Sequence, residues 1–342
     1  MKNLLSLERT QDSKYLIIHL FGLKIKFSQK HIIKNHYQHT FWKIQTAWKT
    51  FHYDSILNEC DLIMDNKDYW NNINPMIWII FMMVLLQHGK IDTAKTILRR
   101  YVKYYQLKNL DLYLPVAALA HECGYDENRF EKEYFVFKKL EFNPNFSNFL
   151  THVKNKKIAI VGNSSHNIGK NTGSEIDNHD IVIRFNNYPS GYETDYGSKT
   201  NIWCRGIGSC QGDVKHRNID CFDYIFWYFD IWHFPIKFNT IDILYDDLMK
   251  YSNRIIYIPE DPSKYLLDVY DVNFPTSGAL MITLLMMNKI PIDEIDIYGF
   301  SFLDKLDSDG DHYYDSNCRI NIAHNMHEER LALREMYKNK YN

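Results

Sequence analysis

The stretch IAIVGNSSHNIGK, residues 158–170, places strand-forming residues directly before Gly162 and a run of small polar residues after it. A glycine after a strand lets a ligand approach the backbone closely. The loop nevertheless matches neither common nucleotide fingerprint. The triphosphate loop requires glycine at position 164 and a hydroxyl residue at 171, where this chain has Ser164 and Asn171. The dinucleotide loop also requires glycine at 164. The stretch has the general shape of a nucleotide site, and its ligand stays open at this point.

Short apolar runs continue downstream of this loop and alternate with helical stretches. The runs cover residues 158–162, 181–185, 224–229, 254–259 and 295–300. Their length is typical of buried strands, so they predict an α/β fold with a mostly parallel sheet. Ligands of open parallel sheets bind at the carboxyl ends of the strands. The residues that follow the runs are therefore candidate ligand contacts: Asn163, Ser164, Asn186, Asn187 and Ser301.

Near residue 150 the pattern changes from helical periodicity to short apolar runs separated by loops. This change predicts an N-terminal region over 1–150 and a second domain over 151–342. The stretch 15–27 has strand formers on both sides of Gly22 and predicts a small hairpin. From about residue 37 the pattern is helical. Residues 85–98 and 119–132 each place a glycine-centred turn between two helices. This spacing indicates helix-pair repeats, and an ordinary helical domain explains it equally well.

Composition limits the class of protein. The chain has 342 residues, 45% of them hydrophobic, with 40 basic and 42 acidic residues. This balance argues against a nucleic-acid partner, because phosphate backbones are bound by many uncompensated Lys and Arg. The first 60 residues carry nine Lys or Arg against four Asp or Glu. That bias allows peripheral contact with an anionic membrane, although an ordinary solvated face is the favoured interpretation.

Cysteine usage and apolar stretches predict a cytoplasmic location. The six cysteines show no C-x-x-C pair or zinc-like pattern, as expected of free thiols in a reducing compartment. The N-terminus has one short apolar run followed by charges and does not resemble a signal peptide. The longest apolar stretch, 76–86, is shorter than the roughly 20 residues that span a bilayer.

The stretch FPTSGALMITLLMMNKI, residues 274–290, predicts a helix N-terminus that can bind phosphate. Thr276 and Ser277 are good N-cap residues, and Gly278 allows a close approach to the backbone. The free N–H groups and the helix dipole favour an anion there. Taken alone, plain helix capping is the favoured interpretation of this stretch.

Two histidines near the end of the chain are candidate acid-base groups. His312 lies in HYYD, residues 312–315, and His324 begins a predicted amphipathic helix over 324–337. Asp315 and Glu329 are carboxylates close in sequence that can tune an imidazole toward general-base catalysis.

These segments together resemble the four motifs of the eukaryotic-type sialyltransferase family. Residues 158–200 are similar to the large sialyl motif, with V-G-N-S, I-D-x-H-D-x-V-x-R-F-N and G-Y-E-x-D-x-G-x-K-T in order. Residues 275–300 resemble the small motif and HYYD the third motif. His324 followed five residues later by Glu329 resembles the very short motif. The likeness covers about residues 155–337.

The resemblance implies a Rossmann-like catalytic domain, a glycosyltransferase A variant, that uses a cytidine monophosphate (CMP) sugar and inverts the anomeric centre without a metal or other cofactor. It implies His324 as the general base on the acceptor hydroxyl and His312 as the group that stabilises the departing phosphate. The implied donor-binding residues are Asn163, Ser164, Asn186, Thr276, Ser277 and Gly278, with Glu329 and Tyr314 in support. A single phosphate can be stabilised by amides and an imidazole in place of a metal.

The chain departs from the family where its two motif cysteines are expected, because Ile158 and Ile292 occupy those positions. This departure predicts a bacterial cytosolic member, and peripheral contact with the inner face of the inner membrane stays open. The family's P-S-T-G order is P-T-S-G here, which leaves the roles of Thr276 and Ser277 open. An acidic loop over 307–311 has the Asp-x-Asp spacing of a divalent-cation site, and a solvated loop is its favoured interpretation.

The predicted reaction is transfer of sialic acid from CMP-sialic acid to a glycan or glycolipid acceptor, such as a precursor of lipooligosaccharide or capsule. Two alternatives stay open. One is another cytidine-activated donor, such as CMP-3-deoxy-octulosonic acid. The other is a nucleotide-binding or scaffold protein without catalysis, against which the presence of both His312 and His324 argues.

Overall fold

The structure is a computed structural model that describes residues 5–9, 15–20, 23–206, 218–228, 231–232, 240–300 and 326–337. It divides into two compact units. The first comprises 1–110 with 122–125, and the second comprises 111–121 with 126–342. The helices over 127–153 therefore belong to the same unit as the sheet. The sheet-bearing unit begins earlier along the chain than the predicted division near residue 150.

The first unit opens with three antiparallel strands, β1 (Leu5–Arg9), β2 (Tyr15–Leu20) and β3 (Leu23–Ser28), in the order β1-β2-β3. The predicted hairpin is confirmed, since Leu20 pairs with Leu23 and Tyr15 with Ser28. Helices follow: α1 (Gln29–Lys49), α2 (Tyr53–Ile63), α3 (Lys67–Asn72), α4 (Met76–Gln87) and α5 (Ile91–Tyr105).

The core of the first unit forms around α4, whose residues from Ile77 to Leu85 are all buried. Trp78 of α4 stacks on Trp70 with ring centroids 3.7 Å apart. The turn between α4 and α5 places Gly89 at φ 71°, in the left-handed region that glycine adopts without strain. This turn is the helix, glycine and helix arrangement predicted for residues 85–98.

The second unit begins with α6 (Leu114–Glu122), α7 (Glu127–Leu140) and α8 (Phe146–Val153). The turn between α6 and α7 contains Gly124 at φ 76°, as predicted for residues 119–132. The later helices are α9 (Gly173–Asp177), α10 (Glu193–Tyr196), α11 (Thr240–Tyr251), α12 (Asp261–Tyr270), α13 (Ser277–Met287) and α14 (Met326–Met336).

A six-stranded sheet forms the centre of this unit, in the order β8-β7-β6-β5-β4-β9, and every pairing is parallel. The strands are β4 (Ile158–Val161), β5 (Ile181–Phe185), β6 (Ile202–Gly206), β7 (Tyr224–Tyr228), β8 (Ile255–Tyr257) and β9 (Ile295–Tyr298). The predicted α/β fold with a parallel sheet is confirmed. Five strands match predicted runs, and β6 was missed.

Apolar clusters cover both faces of the sheet. One contains residues of β4, β5, β9 and α13, with Ile158 in its buried centre and Ile292 packed against it. Both isoleucines that replace the family's cysteines thus belong to one apolar cluster. A second cluster packs Trp203 and Trp227 against α7 and α11. In the part of the chain that the structure describes, no helix is both long and apolar enough to cross a membrane.

Candidate active site

The strand order places a topological switch point at β4, which has β5 on one side and β9 on the other. Ligands of open α/β sheets bind at such a point, beyond the carboxyl ends of the strands. The loops that leave β4 and β9 are joined by two backbone hydrogen bonds. Gly162 N–H donates to Tyr298 O at 2.8 Å, and Ser164 N–H donates to Gly299 O at 2.9 Å.

Glycines allow this close contact between the two loops. A Cβ at Gly162 would lie 2.5 Å from Gly299 O, and Gly299 itself has φ +66°. Both positions therefore exclude larger residues, the first by space and the second also by backbone conformation. Gly162, which follows the strand of the first quoted stretch, thus serves the contact between these two loops as well as any ligand.

Asn163 and Asn186, both predicted donor contacts, lie together at this edge. Asn163 Nδ2 donates to Phe185 O at 3.0 Å and to Asn187 O at 3.1 Å, the carbonyls on either side of Asn186. Asn186 has φ 49°, and its Oδ1 accepts from Gly206 N–H at 2.8 Å. These bonds join the ends of β4, β5 and β6. Both Nδ2 hydrogens of Asn163 are used, and its Oδ1 has no donor within the described ranges.

Ser164 is engaged through each of its polar groups. Its hydroxyl hydrogen-bonds to His166 Nδ1 at 2.6 Å, and its carbonyl accepts from Tyr196 OH at 2.5 Å. By contrast, Asn187 Oδ1 is buried and has no hydrogen-bond partner among the residues that the structure describes. An unpartnered buried acceptor beside Asn163 is suited to a hydroxyl or amino group of a ligand.

The N-terminus of α13 has the predicted cap. Thr276 is its N-cap, with an extended backbone, and Thr276 Oγ1 accepts from Ala279 N–H at 3.3 Å. In the described part of the chain, neither Ser277 N–H nor Gly278 N–H has a hydrogen-bond partner. Two open N–H groups at the positive end of a helix dipole form an anion site.

Phe300 brings the β4 loop and α13 together. A Cβ at Gly162 would lie 2.8 Å from Phe300 Cδ2, and a Cβ at Gly278 would lie 2.8 Å from Phe300 Cζ. The two glycines therefore contact different edges of one ring. Phe300 also lies near Phe185, with ring centroids 6.2 Å apart. The sequence predicted no role for Phe300, because an aromatic residue after a strand does not indicate which distant segments it will contact.

Glu329 joins α14 to the same helix terminus. It is buried, and its carboxylate accepts from Thr276 N–H at 2.6 Å and from Thr276 Oγ1 at 2.7 Å. The structure thus brings together two predicted site residues 53 positions apart. The Thr276 hydroxyl donates to Glu329 and also caps α13, whereas the hydroxyl of Ser277 has no partner in the part of the chain that the structure describes.

Two weakly acidic side chains, on β6 and at the end of β7, stay neutral. Burial raises the pKa of the Cys204 thiol on β6. Burial, assisted by the nearby Cys204, raises the pKa of Tyr228 at the end of β7. Both groups stay uncharged at neutral pH, so they add no negative charge that would repel a phosphate at this edge.

The sequence pattern of the family described as Glycosyltransferase family 29 (sialyltransferase) matches residues 125–220 and 214–341. The chain belongs to this family. It is 26% identical over 209 residues to beta-galactoside alpha-2,6-sialyltransferase 2 of Rattus norvegicus, a match that covers 53% of this chain and 38% of the relative. It is 30% identical over 181 residues to CMP-N-acetylneuraminate-beta-galactosamide-alpha-2,3-sialyltransferase 1 of Homo sapiens, covering 47% and 48%. The chain thus spans less than half the length of these sialyltransferases.

Among solved structures, a mammalian sialyltransferase aligns with a TM-score of 0.45 and 19% identity, over 61% of this chain and 75% of that one. A second, in complex with Gal-beta-1-3GalNAc-ortho-nitrophenol, aligns with a TM-score of 0.42 and 17% identity, over 66% and 82%.

Three of the predicted sialyltransferase residues, His312, Tyr314 and His324, lie outside the described residues, as do Ser301 and the acidic loop over 307–311. Their roles stay predictions. Within the described ranges, no group of three His, Cys, Asp or Glu side chains is arranged to hold a metal ion. Asn163, Asn186, Ser277 and Gly278 lie at one edge of the sheet, joined through Phe300 and the strand ends.

Proposed function

We propose that this protein transfers sialic acid from CMP-sialic acid to a hydroxyl group of a glycan acceptor. The observation that carries the proposal is the open N-terminus of α13 beside the switch point at β4. The N–H groups of Ser277 and Gly278, which have no partner among the described residues, lie across the Phe300 ring from Gly162. A lone phosphate suits such a site, since helix N–H groups and the dipole stabilise a single anion.

The donor's nucleoside fits the polar atoms along the same edge. Asn163 Oδ1 and the unpartnered Asn187 Oδ1 are acceptors for ribose hydroxyls or for the amino group of cytosine. Charge that develops on the departing phosphate is met by the N–H groups of α13 and, in our proposal, by His312. His324 removes the proton of the acceptor hydroxyl as it attacks the anomeric carbon from the opposite side, so the configuration inverts.

We further propose that the reaction needs no metal or other cofactor. The N–H groups of α13 and His312 stabilise the negative charge of a single phosphate, a role that a metal cation has for a diphosphate donor. A related donor, CMP-3-deoxy-octulosonic acid, is the second candidate, because it carries the same cytidine monophosphate group. Its test is a direct competition between the two CMP-sugars, with product formation followed by chromatography. Preferential transfer of 3-deoxy-octulosonic acid would replace the sialic acid assignment.

The first experiment is calorimetric titration of the full chain with CMP, uridine diphosphate and guanosine diphosphate, each in the presence of a chelator. We expect CMP to bind and the diphosphates to bind much more weakly. Tighter binding of a diphosphate, or binding only after addition of a divalent cation, would contradict the proposed donor class.

The second experiment tests catalysis. His324→Ala is expected to lower kcat by about 10²–10⁴-fold, the usual contribution of a general base, and to leave the Kd for CMP nearly unchanged. His327, which is exposed on α14, offers a matched control, and His327→Ala should retain full activity. Retained transfer by His324→Ala would place the base elsewhere. A wild-type chain that binds CMP but transfers no sugar to any glycan would support the scaffold alternative.

We place the enzyme in a bacterial cytoplasm, in peripheral contact with the inner membrane, where a lipooligosaccharide or capsule precursor supplies the acceptor. The cysteines of the described residues, Cys60, Cys123, Cys204 and Cys221, are free, which agrees with a reducing compartment. Fractionation of expressing cells tests the location, and mass spectrometry of surface glycans from a deletion strain tests the acceptor. Loss of sialic acid from the precursor is the expected result.

A further inference from the structure

The loop that follows β4 is held in place by a second segment of the large motif, at Asp195 and Tyr196 of α10. Tyr196 OH donates to Ser164 O at 2.5 Å, next to the predicted donor residue Asn163. At the far end of the loop, the Asp195 carboxylate accepts from Gly169 N–H at 2.8 Å and from Asn171 N–H at 2.9 Å. Two adjacent residues therefore hold both ends of one loop.

The backbone of Asp195 adds further bonds to the same loop. Its carbonyl accepts from Thr172 Oγ1 at 2.8 Å and from Asn167 Nδ2. Gly173, which begins α9, packs directly on the carbonyl of Glu193 and has no space for a Cβ. The loop over 163–172 and α10 are therefore in backbone contact, and a shift of one moves the other.

The sheet anchors α10 through a buried arginine of β5. Arg184 Nη2 donates to Tyr196 O at 2.5 Å, and Arg184 Nε donates to Lys199 O at 2.9 Å. Tyr196 itself is buried, in a cluster with Val161 of β4 and Tyr298 of β9. A continuous set of contacts thus runs from β5 through Tyr196 to the carbonyl of Ser164.

We propose that Asp195 and Tyr196 are positioning residues that hold the loop over 163–172 in the conformation that binds the nucleotide donor. The inference rests on the proposed function and adds to it. Neither residue needs to touch the donor. By fixing the Ser164 carbonyl, Tyr196 orients the peptide that follows Asn163, while Asp195 keeps the rest of the loop against α10.

The sharpest test is Tyr196→Phe, which removes one hydroxyl and keeps the buried ring. Loss of the bond to Ser164 should raise the KM for the donor and the Kd for CMP about five- to tenfold, as expected for one hydrogen bond. We expect kcat and the KM for the acceptor to change less than about twofold, because the reacting groups stay in place. A purely structural role would instead lower the active fraction and leave the KM for the donor unchanged.

Tyr298→Phe is the matched control. Tyr298 belongs to the same cluster, and its hydroxyl donates at 2.8 Å to Glu175 Oε1 on α9 and not to a residue of the loop over 163–172. Its substitution should leave the KM for the donor unchanged. Equal KM values for Tyr196→Phe and the wild type, or equal increases in both tyrosine variants, would overturn the positioning role.

A second pair of variants keeps the test independent of the buried ring. Asp195→Asn replaces the carboxylate that holds the loop. Asp180→Asn replaces an exposed carboxylate, whose Oδ2 accepts from Lys157 N–H at 2.9 Å just before β4. We expect a higher KM for the donor in Asp195→Asn only. A matching rise in Asp180→Asn would show that the effect is not specific to the loop.

Failure of this inference is distinguishable from failure of the proposed function. If wild-type protein binds no CMP, the proposed function is wrong. If the wild type binds CMP and both loop variants bind it equally well, the donor site stands and the positioning role is wrong. Thermal melts of all four variants identify any that does not fold, and if one pair is lost the other pair still decides the outcome.

Discussion

Two carboxylates hold the two halves of the candidate donor site, and they differ in burial. Glu329 is buried and accepts two hydrogen bonds from Thr276 at the start of α13. Asp195 accepts two from the loop after β4, at the surface of the protein. An unpaired group in the interior is expensive, whereas one at the surface is satisfied by water. The comparison indicates that Glu329 stabilises the fold as well as the site, and that Asp195 mainly sets the shape of a loop.

The largest effect is expected from Glu329→Ala. The substitution leaves the Thr276 N–H and hydroxyl without their acceptor, and we expect it to lower the free energy of unfolding by about 3 kcal/mol. Chemical denaturation measures the loss. Glu335→Ala, which removes an exposed carboxylate of the same helix, serves as the control and should change stability little. A loss below about 1 kcal/mol for Glu329→Ala would show that Glu329 stabilises the fold no more than a surface carboxylate does.

Alanine at the two glycines around Phe300 should give intermediate effects of unequal size. At Gly162 the added Cβ meets the backbone oxygen of Gly299, which cannot move without disturbing β9, so we expect a cost of about 2 kcal/mol. At Gly278 it meets only the Phe300 ring, which can turn, and alanine favours the helix. We therefore expect a cost of about 1 kcal/mol or less there. Thermal and denaturant unfolding give both values, and the opposite order would show that Phe300 is the more rigid neighbour.

The smallest effect concerns the pH dependence of Asp195. Hydrogen bonds from Gly169 and Asn171 N–H lower the pKa of this carboxyl from its ordinary value of 3.8. A depressed carboxyl pKa stabilises the folded chain above the ordinary value, and the contribution is lost as pH falls through the lowered one. The stability difference between wild type and Asp195→Asn should be constant from neutral pH to about pH 5 and shrink below about pH 4. A difference that grows on acidification would show that the pKa is raised.

The strand β6 was not predicted from the sequence, and a buried arginine near its end is part of the reason. In β6 the apolar run is interrupted by Arg205, which is buried. Its charge is paired with Asp247 of α11, and its guanidinium lies 5.6 Å from the ring centroids of both Trp203 and Trp227. In β6 only three apolar residues precede Arg205 and Gly206 follows it, whereas in β5 the apolar residue Phe185 follows Arg184. So short an apolar run does not predict a buried strand unless the partner of the arginine is known. That partner is 42 residues away.

The P-T-S-G order illustrates a second limit. The sequence predicted a capped helix start at residues 276–278, and the structure confirms it with Thr276 as the N-cap. Which hydroxyl remains for a ligand was not predictable from residue types, because Ser and Thr are both good caps. The answer depends on Glu329, which reaches Thr276 from another helix.

The sequence by itself determined the alternation of strands and helices, the glycines that permit close backbone contact, and the family to which the chain belongs. These features are local, since periodicity and residue size decide burial within a few residues. Only the tertiary structure decided which groups meet: β9 beside β4, Tyr196 on Ser164, and Glu329 on Thr276. Such pairings depend on strand order and on contacts between distant segments, for which a linear pattern contains no direct signal.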